Sequence, residues 1–158
     1  MDQKQIDIEF MQQALELARE AAVHGEVPVG AILVAAGKVI GRGRNQRENL
    51  QSAISHAEIH AISEGCKSLA AWRLSGCVLY VTLEPCIMCA GAISQARIER
   101  VVFGASDPKG GAVGSLYHLH EDPRLNHRFV VEAGILAEES QILLREFFQA
   151  RRSCNLER

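Results

Sequence analysis

The sequence lacks any apolar run that approaches the ~20 residues a membrane-spanning helix needs. Its first ten residues, MDQKQIDIEF, also lack the basic and apolar regions of a secretory signal peptide. A large net charge is missing too, because 17 basic residues stand against 19 acidic ones and leave a formal charge of -2. We therefore expect a cytoplasmic protein without a membrane segment, whose contacts with any polyanion are confined to local patches.

The cysteine count does not suit a disulfide framework. Five cysteines are an odd number, and disulfides are rare in proteins that are not exported. The thiols are therefore expected to be reduced or to bind a metal. The chain has 158 residues, of which 47% are hydrophobic, so it is long enough to bury a core. We expect a single globular domain over residues 1–158.

Hydrophobic periodicity predicts alternating helices and strands. In chain order, the pattern predicts a helix over 10–22 ended by His24-Gly25, a hairpin of 27–34 and 38–41 joined across Ala35-Ala36-Gly37, a polar loop over 42–54, a helix over 55–65, a strand over 77–82, a helix over 85–96, a strand over 99–105, a long loop over 106–128, an edge strand over 129–133 and a helix over 136–152. Two strand-helix-strand passages imply parallel neighbouring strands with helices on both faces. The expected fold is a three-layer α/β/α sandwich around a five-stranded mixed sheet.

Cys86 and Cys89, in the stretch PCIMC, carry the strongest chemical signal together with an upstream HAE motif. If Glu84 caps a helix and Pro85 takes its first position, the two cysteines lie on one helix face and can bind the same ion. The start of a helix also favours negative charge, which lowers the pKa of a thiol. This stretch is therefore predicted to supply two thiolate ligands.

His56, in the HAE motif, would complete a set of one nitrogen and two sulfur ligands, for which zinc is the best candidate. Three protein ligands leave a fourth position for water, an arrangement typical of catalytic rather than structural zinc. The Cys-x-x-Cys spacing alone would also suit a structural half-site or a redox pair, and Cys66, Cys77 or Cys154 could close a tetrahedron.

Glu58 also has an alternative interpretation. The run Ser55-His56-Ala57-Glu58 matches a Ser-x-x-Glu capping box, in which the carboxylate only satisfies backbone at the helix start. His56 and Glu58 are two positions apart and so point to different sides of a regular helix. That objection weakens in the first turn, where side chains reach beyond the helix end. We therefore expect the ion where two helix N-termini converge.

The combination of His-x-Glu with Pro-Cys-x-x-Cys resembles the zinc-dependent nucleobase deaminases. Longer strings narrow the resemblance to the bacterial tRNA-specific adenosine deaminases: EVPVGAILV, HAEI, LYVTLEPCIMCAGAI, RVVFGA and LNHR. The resemblance implies a cytidine deaminase-like fold and conversion of the wobble adenosine, position 34 of an arginine tRNA, to inosine. It also implies one zinc ion per subunit and a homodimer in which the helix over 86–96, with Ile87, Met88 and Ile93, packs across a two-fold axis. Burial of these residues in the domain's own core is the alternative.

The implied reaction is a hydrolytic deamination. A hydroxide activated by zinc attacks C6 of adenine, while Glu58, close to the metal without binding it, transfers the protons. A backbone N–H near Ala57 or Cys86 would hold the attacking oxygen.

The resemblance also implies contacts with the anticodon stem-loop. Asn45 would read a base edge beside the backbone of Val29, although a turn-forming role for this asparagine is equally open. The stretches 42–48 and 141–158 each carry a local charge of +2, from three arginines less one glutamate and from four less two. With Phe147-Phe148 the second stretch suits a phosphate track or, equally, a solvated helix end. The other implied contacts are Asp107, Lys109, Asn126, His127, Phe148, Arg151 and Arg152.

Two other functions fit the same residues. A deaminase of a free base or nucleoside, of the cytidine or guanine type, would use the same zinc chemistry but would need no phosphate track. A zinc-stabilised binding module would keep the metal and catalyse nothing.

Overall fold

The chain folds into alternating helices and strands in the computed structural model, which describes residues 1–156; Glu157 and Arg158, part of the charged C-terminal stretch, lie outside the described residues. The helices are α1 (Gln3–Val23), α2 (Arg47–Leu50), α3 (Ala57–Leu69), α4 (Ile87–Gln95) and α5 (Ala137–Leu156), and the strands are β1 (Gly30–Ala35), β2 (Lys38–Arg44), β3 (Val78–Leu83), β4 (Arg100–Ala105) and β5 (Val130–Ala133). Within residues 1–156, no helix is both long and apolar enough to cross a bilayer.

The five strands form one mixed sheet in the order β2-β1-β3-β4-β5. Helices α1 and α5 pack on one face, over a cluster that includes Met11, Ile32 and Tyr80. Helices α3 and α4 cover the other face, over a larger cluster that includes Leu33 and Ile93. The predicted three-layer α/β/α sandwich is confirmed.

Helix α1 begins at Gln3, seven residues before the predicted start, because the Asp2 side chain caps it by accepting from the Gln5 backbone N–H, but its end follows the sequence signals closely. Helix α1 ends at Val23 with His24 as its C-cap, and Gly25 has a φ of +78°, the left-handed conformation that glycine adopts most easily. Strands β1 and β2 pair antiparallel, and Ala36 and Gly37 between them both have positive φ angles. This is the two-residue turn whose twist matches that of the strands. The predicted hairpin is confirmed.

Parallel pairing is only partly as predicted. Strands β3 and β4, on either side of α4, are parallel neighbours. Strands β2 and β3, on either side of α3, are not neighbours, because β1 lies between them and runs antiparallel to both. Strand β1 therefore occupies the position beside β3 in which β2 was expected as a parallel neighbour.

The predicted polar loop over 42–54 is wrong at its start, since β2 continues to Arg44, and a short helix, α2, follows within it. Gly41 and Gly43 explain the difference. A Cβ atom on Gly43 would overlap the carbonyl oxygen of Ala57, and one on Gly41 would overlap that of Ala61. The two glycines therefore allow α3 to lie directly on the strand, which fixes the start of α3 against the sheet.

Two boundaries near the predicted metal ligands also need correction. Helix α4 begins at Ile87 with Cys86 as its N-cap, so Glu84 does not cap it and Pro85 precedes the cap. The buried carboxylate of Glu84 binds a distant loop instead. The long loop over 106–128 contains a short 3-10 helix, Leu119–Glu121.

Asp7 ties α1 to the sheet on the face away from the predicted site. Its carboxylate is 2% exposed, accepts a hydrogen bond from the Tyr80 hydroxyl at 2.8 Å and binds the Arg100 guanidinium through two bonds of 2.9 and 2.7 Å. Burial alone would raise the pKa of Asp7, but the hydrogen bonds from Arg100 and Tyr80 outweigh it and lower the pKa below its usual value. Asp7 therefore stabilises the fold in its charged form.

Replacing Asp7 with alanine is expected to lower the free energy of unfolding by about 3 kcal/mol at neutral pH, because it leaves the Arg100 guanidinium unpaired in a mostly buried position. The loss, measured by urea denaturation, should shrink as the pH falls from about 4 through the lower pKa of the folded state, because wild type then loses the same interaction. Asp122→Ala is the matched control, since Asp122 binds Arg124 at 2.7 Å but that arginine is 87% exposed. An equal loss in both variants would contradict the assigned role of burial.

Candidate metal centre and substrate cavity

His56, Cys86 and Cys89 converge at the starts of two neighbouring helices. His56 is the N-cap of α3, Cys86 is the N-cap of α4, and Cys89 lies in the first turn of α4. The Nδ1 atom of His56 lies 3.6 Å from Sγ of Cys86 and 3.5 Å from Sγ of Cys89. The two helix N-termini therefore bring together the three donor atoms that the sequence motifs predict.

The geometry of this trio fits a tetrahedral metal site. Zinc bonds of about 2.05 Å to nitrogen and about 2.3 Å to sulfur, at the tetrahedral angle, separate the two donors by about 3.6 Å. The observed distances from Nδ1 to both sulfurs agree with that value. Within residues 1–156, these three side chains form the one group of three or more metal-binding donors that lie within 4.8 Å of one another. The other cysteines do not belong to it.

The charges of the trio also suit a cation. A hydrogen bond from the Cys89 thiol lowers the pKa of Cys86 to about 3, and the same interaction raises the pKa of Cys89. The hydrogen bond to Cys86 raises the pKa of His56 in turn. The two sulfurs and the imidazole thus share protons that a bound metal ion would replace, as expected for ligands that bind when deprotonated.

Glu58 lies beside the trio but outside it. Its carboxyl group is 4% exposed and does not belong to the group of close donors. Burial raises its pKa above the usual value. The alternative capping box is not formed, because α3 has His56 rather than Ser55 as its N-cap and Glu58 stands at the second helical position. Glu58 is therefore a buried acid that can exchange protons near the metal site.

A cavity of about 200 Å³ opens onto Glu58 and onto two members of the metal-binding trio, His56 and Cys86, whereas the fully buried Cys89 is not part of its lining. It is lined by Val27, Val29, Asn45, Arg47, His56, Ala57, Glu58, Leu83, Glu84, Cys86 and Asp107. A wider groove of about 510 Å³ lies between α1 and α3 along β2, but its lining includes neither the trio nor Glu58. The chemistry therefore belongs to the smaller cavity.

Four predicted substrate contacts line this cavity: Val29, Asn45, Ala57 and Asp107. The Asn45 side chain already has partners, since its amide donates to the Val27 carbonyl at 3.3 Å and its oxygen accepts from the Arg47 backbone N–H at 3.3 Å. The second bond is that of an Asx turn. Asn45 thus shapes the rim as a turn residue while facing the cavity.

The remaining predicted contacts lie outside the cavity lining. Lys109, Asn126, Phe148, Arg151 and Arg152 are exposed, and the Arg151 guanidinium stacks over the Phe147 ring at 5.1 Å. His127 binds the Ile98 carbonyl at 2.7 Å and lines a different cleft, with Arg97 and Glu99. This cleft lies at the end of the sheet where β4 begins, since Glu99 directly precedes that strand. The substrate cavity lies at the other end, where Glu84 and Asp107 follow β3 and β4. His127 is therefore placed far from the predicted reaction.

Sequence reasoning missed four cavity residues: Val27, Arg47, Leu83 and Glu84. It also missed Glu26, which is buried and accepts hydrogen bonds from the backbone N–H groups of Glu48 and Asn49 at 3.1 and 2.8 Å. Glu26 thereby holds α2 beside the loop that carries Asn45. The available signal for Glu26 and Glu84 was their position beside the predicted strands over 27–34 and 77–82. A carboxylate next to a buried strand needs nearby hydrogen-bond donors.

Comparisons with known proteins agree with this geometry. The chain matches the family model of MafB19-like deaminases over residues 6–152. It is 50% identical to a tRNA-specific adenosine deaminase of Bacillus subtilis over 143 residues, which cover 90% of this chain and 89% of that protein. A solved structure from studies of A-to-I editing by tRNA:A34 deaminases at the wobble position of transfer RNA matches with a TM-score of 0.83 and 48% identity, and covers 86% of this chain and 99% of that one.

A guanine deaminase from Nitrosomonas europaea shares the fold at lower similarity, with a TM-score of 0.74 and 27% identity over 89% of this chain and 83% of that one. The predicted cytidine deaminase-like fold is confirmed by these likenesses. With half of all aligned positions identical along nine-tenths of its length, and with the donor trio and adjacent acid in place, this chain belongs to the family of tRNA-specific adenosine deaminases.

Proposed function

We propose that this chain hydrolyses the 6-amino group of adenosine at the wobble position of a tRNA and releases inosine-containing tRNA and ammonia. The observation that carries the proposal is that the buried Glu58, which is not one of the three close donors, lines the same cavity as His56 and Cys86. The similarity to proteins named for this activity supports adenosine in tRNA as the substrate.

His56, Cys86 and Cys89 would hold one zinc ion, because one imidazole and two thiolates match the ligands that zinc prefers. When bound, the ion would supply the Lewis acidity that makes water a nucleophile at neutral pH. The chain's own residues would orient the base and exclude bulk water from it. Val29 and Ala57, both buried, line the cavity that would hold the base.

Glu58 would carry the protons of the reaction. Its carboxylate takes a proton from the attacking water and passes it to the ring nitrogen N1. It then takes the remaining proton of the new C6 hydroxyl group and delivers it to the amino group, which leaves as ammonia while the C6 carbonyl forms. Burial favours this cycle because it raises the pKa of Glu58 and so brings proton uptake and release closer in energy.

The tRNA would be held at two levels. Val29, Asn45, Ala57 and Asp107 surround the flipped base within the cavity. The exposed predicted residues would meet the anticodon stem-loop outside it, with basic groups on phosphates and aromatic rings against unstacked bases. These outer contacts are Lys109, Asn126, Phe148, Arg151 and Arg152; His127, half-buried in a different cleft, is not among them. The proposed substrate is an arginine tRNA.

A second copy of the chain is the proposed protein partner. Ile87 is 59% exposed at the start of α4, directly after the ligand Cys86, and Met88 is partly exposed. Ile93, also predicted on this contact face, is instead fully buried in the core between α4 and the sheet. Ile87 and Met88, in the first turn of α4, would therefore make the contact across a two-fold axis, and Ile93 would not.

An anticodon stem-loop with adenosine at the wobble position is expected to react with a kcat/KM at least about a hundredfold above that of free adenosine, because binding of the distant phosphates and bases contributes to the transition state. Inosine and ammonia release measure the reaction. The control is the same stem-loop with guanosine at that position. Comparable rates for the stem-loop and a free base or nucleoside would refute the tRNA assignment and favour the rival function of the guanine deaminase type.

A further inference from the structure

Glu84 is a buried charge that neither binds the metal trio nor caps a helix. It lies between β3 and Cys86, is 3% exposed, and accepts hydrogen bonds from one loop. Its oxygens accept from the backbone N–H groups of Asp107 at 3.0 Å, Val113 at 3.3 Å and Ser115 at 3.0 Å, and the Ser115 hydroxyl donates to it as well. All four donors lie in residues 107–115, which we call the Glu84 loop.

The Glu84 loop is shaped closely around this carboxylate. A Cβ atom on Gly111 would overlap the carboxyl group of Glu84, and Gly111 has no positive φ angle that would otherwise explain a glycine there. The next residue, Ala112, donates its backbone N–H to the carbonyl of Pro85 at 2.9 Å. The loop is therefore fixed to the segment between β3 and the metal ligand Cys86.

The Glu84 loop reaches the substrate cavity through its first residue, beside Glu84 itself, which also lines the cavity. Asp107 lines the cavity, and its side chain accepts hydrogen bonds from the backbone N–H groups of Lys109 and Gly110 at 3.1 and 3.2 Å. The carboxylate of Glu84 therefore orients the backbone of Asp107, and through it the turn that presents Lys109. The trio, in contrast, is held by the helices α3 and α4.

We propose that Glu84 is a positioning residue that fixes the Glu84 loop as a wall of the substrate cavity and thereby sets substrate affinity rather than metal binding. The effect on substrate affinity rests on the proposed function, whereas the effect of Glu84 on the order of the loop does not. Because one carboxylate serves four donors at both ends of the loop, losing it releases the wall without disturbing the helices that carry the metal ligands and Glu58.

The test is Glu84→Gln, which keeps the shape of the side chain but replaces one acceptor oxygen with an NH2 group that must face N–H donors. We expect the KM for the adenosine stem-loop to rise by about tenfold or more and kcat to change by less than about threefold. Zinc content should stay at wild-type level. Hydrogen exchange should become faster for the loop amides that lose their acceptor, which is that of Asp107 or those of Val113 and Ser115 according to which of the two oxygens is replaced.

Gly111→Ala perturbs the same contact from the loop side, because the added methyl group pushes the carboxylate away from its donors. It should raise KM in the same way, and the double variant should lose less than the product of the two single effects. Asp7→Asn is the matched control: it removes another buried carboxylate, on the opposite face of the sheet, and should leave KM unchanged.

An unchanged KM in Glu84→Gln, or loss of zinc together with a fall in kcat, would overturn the proposal. If Glu84→Gln does not fold, Gly111→Ala decides by the same KM criterion. A wild-type protein that binds zinc but does not deaminate the stem-loop would refute the proposed function instead, whereas unchanged amide exchange in Glu84→Gln would refute the role of Glu84 alone.

Discussion

Glu58→Ala is expected to lower kcat by about 10⁴-fold while the protein remains folded and retains its metal ion. The loss follows from the position of the carboxyl group, which is buried in the cavity beside the three donors without being one of them. Every proton that moves between water, the ring nitrogen and the leaving amine has to pass through a group within hydrogen-bonding reach, and Glu58 is the acid at that place. Stem-loop kinetics, metal analysis and a thermal melt measure the three properties.

Two further variants make this test specific. Glu58→Gln keeps the size and polarity of the side chain but cannot transfer a proton, so we expect a loss nearly as large. Glu64→Ala removes an exposed carboxylate from the same helix, α3, and should react at the wild-type rate. Normal turnover in Glu58→Ala would contradict the assigned proton transfer, and loss of the metal from that variant would indicate that Glu58 is a ligand.

The metal-binding trio could be predicted from sequence because its members lie in two short motifs, each of which is recognisable by itself. Cys86 and Cys89 lie within one helical turn, and the His56 motif needs only that a second helix begins nearby. The capping interpretation of Glu84 had the same local basis and was wrong, because the donors of that carboxylate lie in a loop that begins at Asp107. Only the folded chain brings the loop and the acid together.

The fold shows the same division between local and distant information. The Ala36-Gly37 turn and the end of α1 are determined by residues adjacent in sequence and were predicted correctly. Gly41 and Gly43 look like loop residues, and their role in β2 depends on contact with α3, which follows later in the chain. His127 likewise appears in a motif of the family, yet the structure places it in a different cleft from the metal-binding trio.

Cys86→Ser is expected to abolish stoichiometric zinc binding and, with it, turnover. A serine hydroxyl has a much higher pKa than a thiol and does not form the anion that zinc binds at neutral pH. The substitution is mild for the fold, because Cys86 is the N-cap of α4 and serine is among the preferred residues at that position. The variant therefore separates loss of the metal from loss of the helix.

Thermal melts with and without added zinc would show the same separation. A zinc concentration of 100 times the Kd should stabilise the wild-type protein by about 2.7 kcal/mol, and the midpoint of its melt should rise with zinc, whereas that of Cys86→Ser should not respond. Cys154→Ser is the matched control, since Cys154 is an exposed thiol in α5 outside the trio; it should bind zinc and deaminate as wild type does. If Cys86→Ser retained one zinc ion per chain, the assignment of Cys86 as a ligand would be wrong, because His56 and Cys89 alone would then suffice to hold the ion.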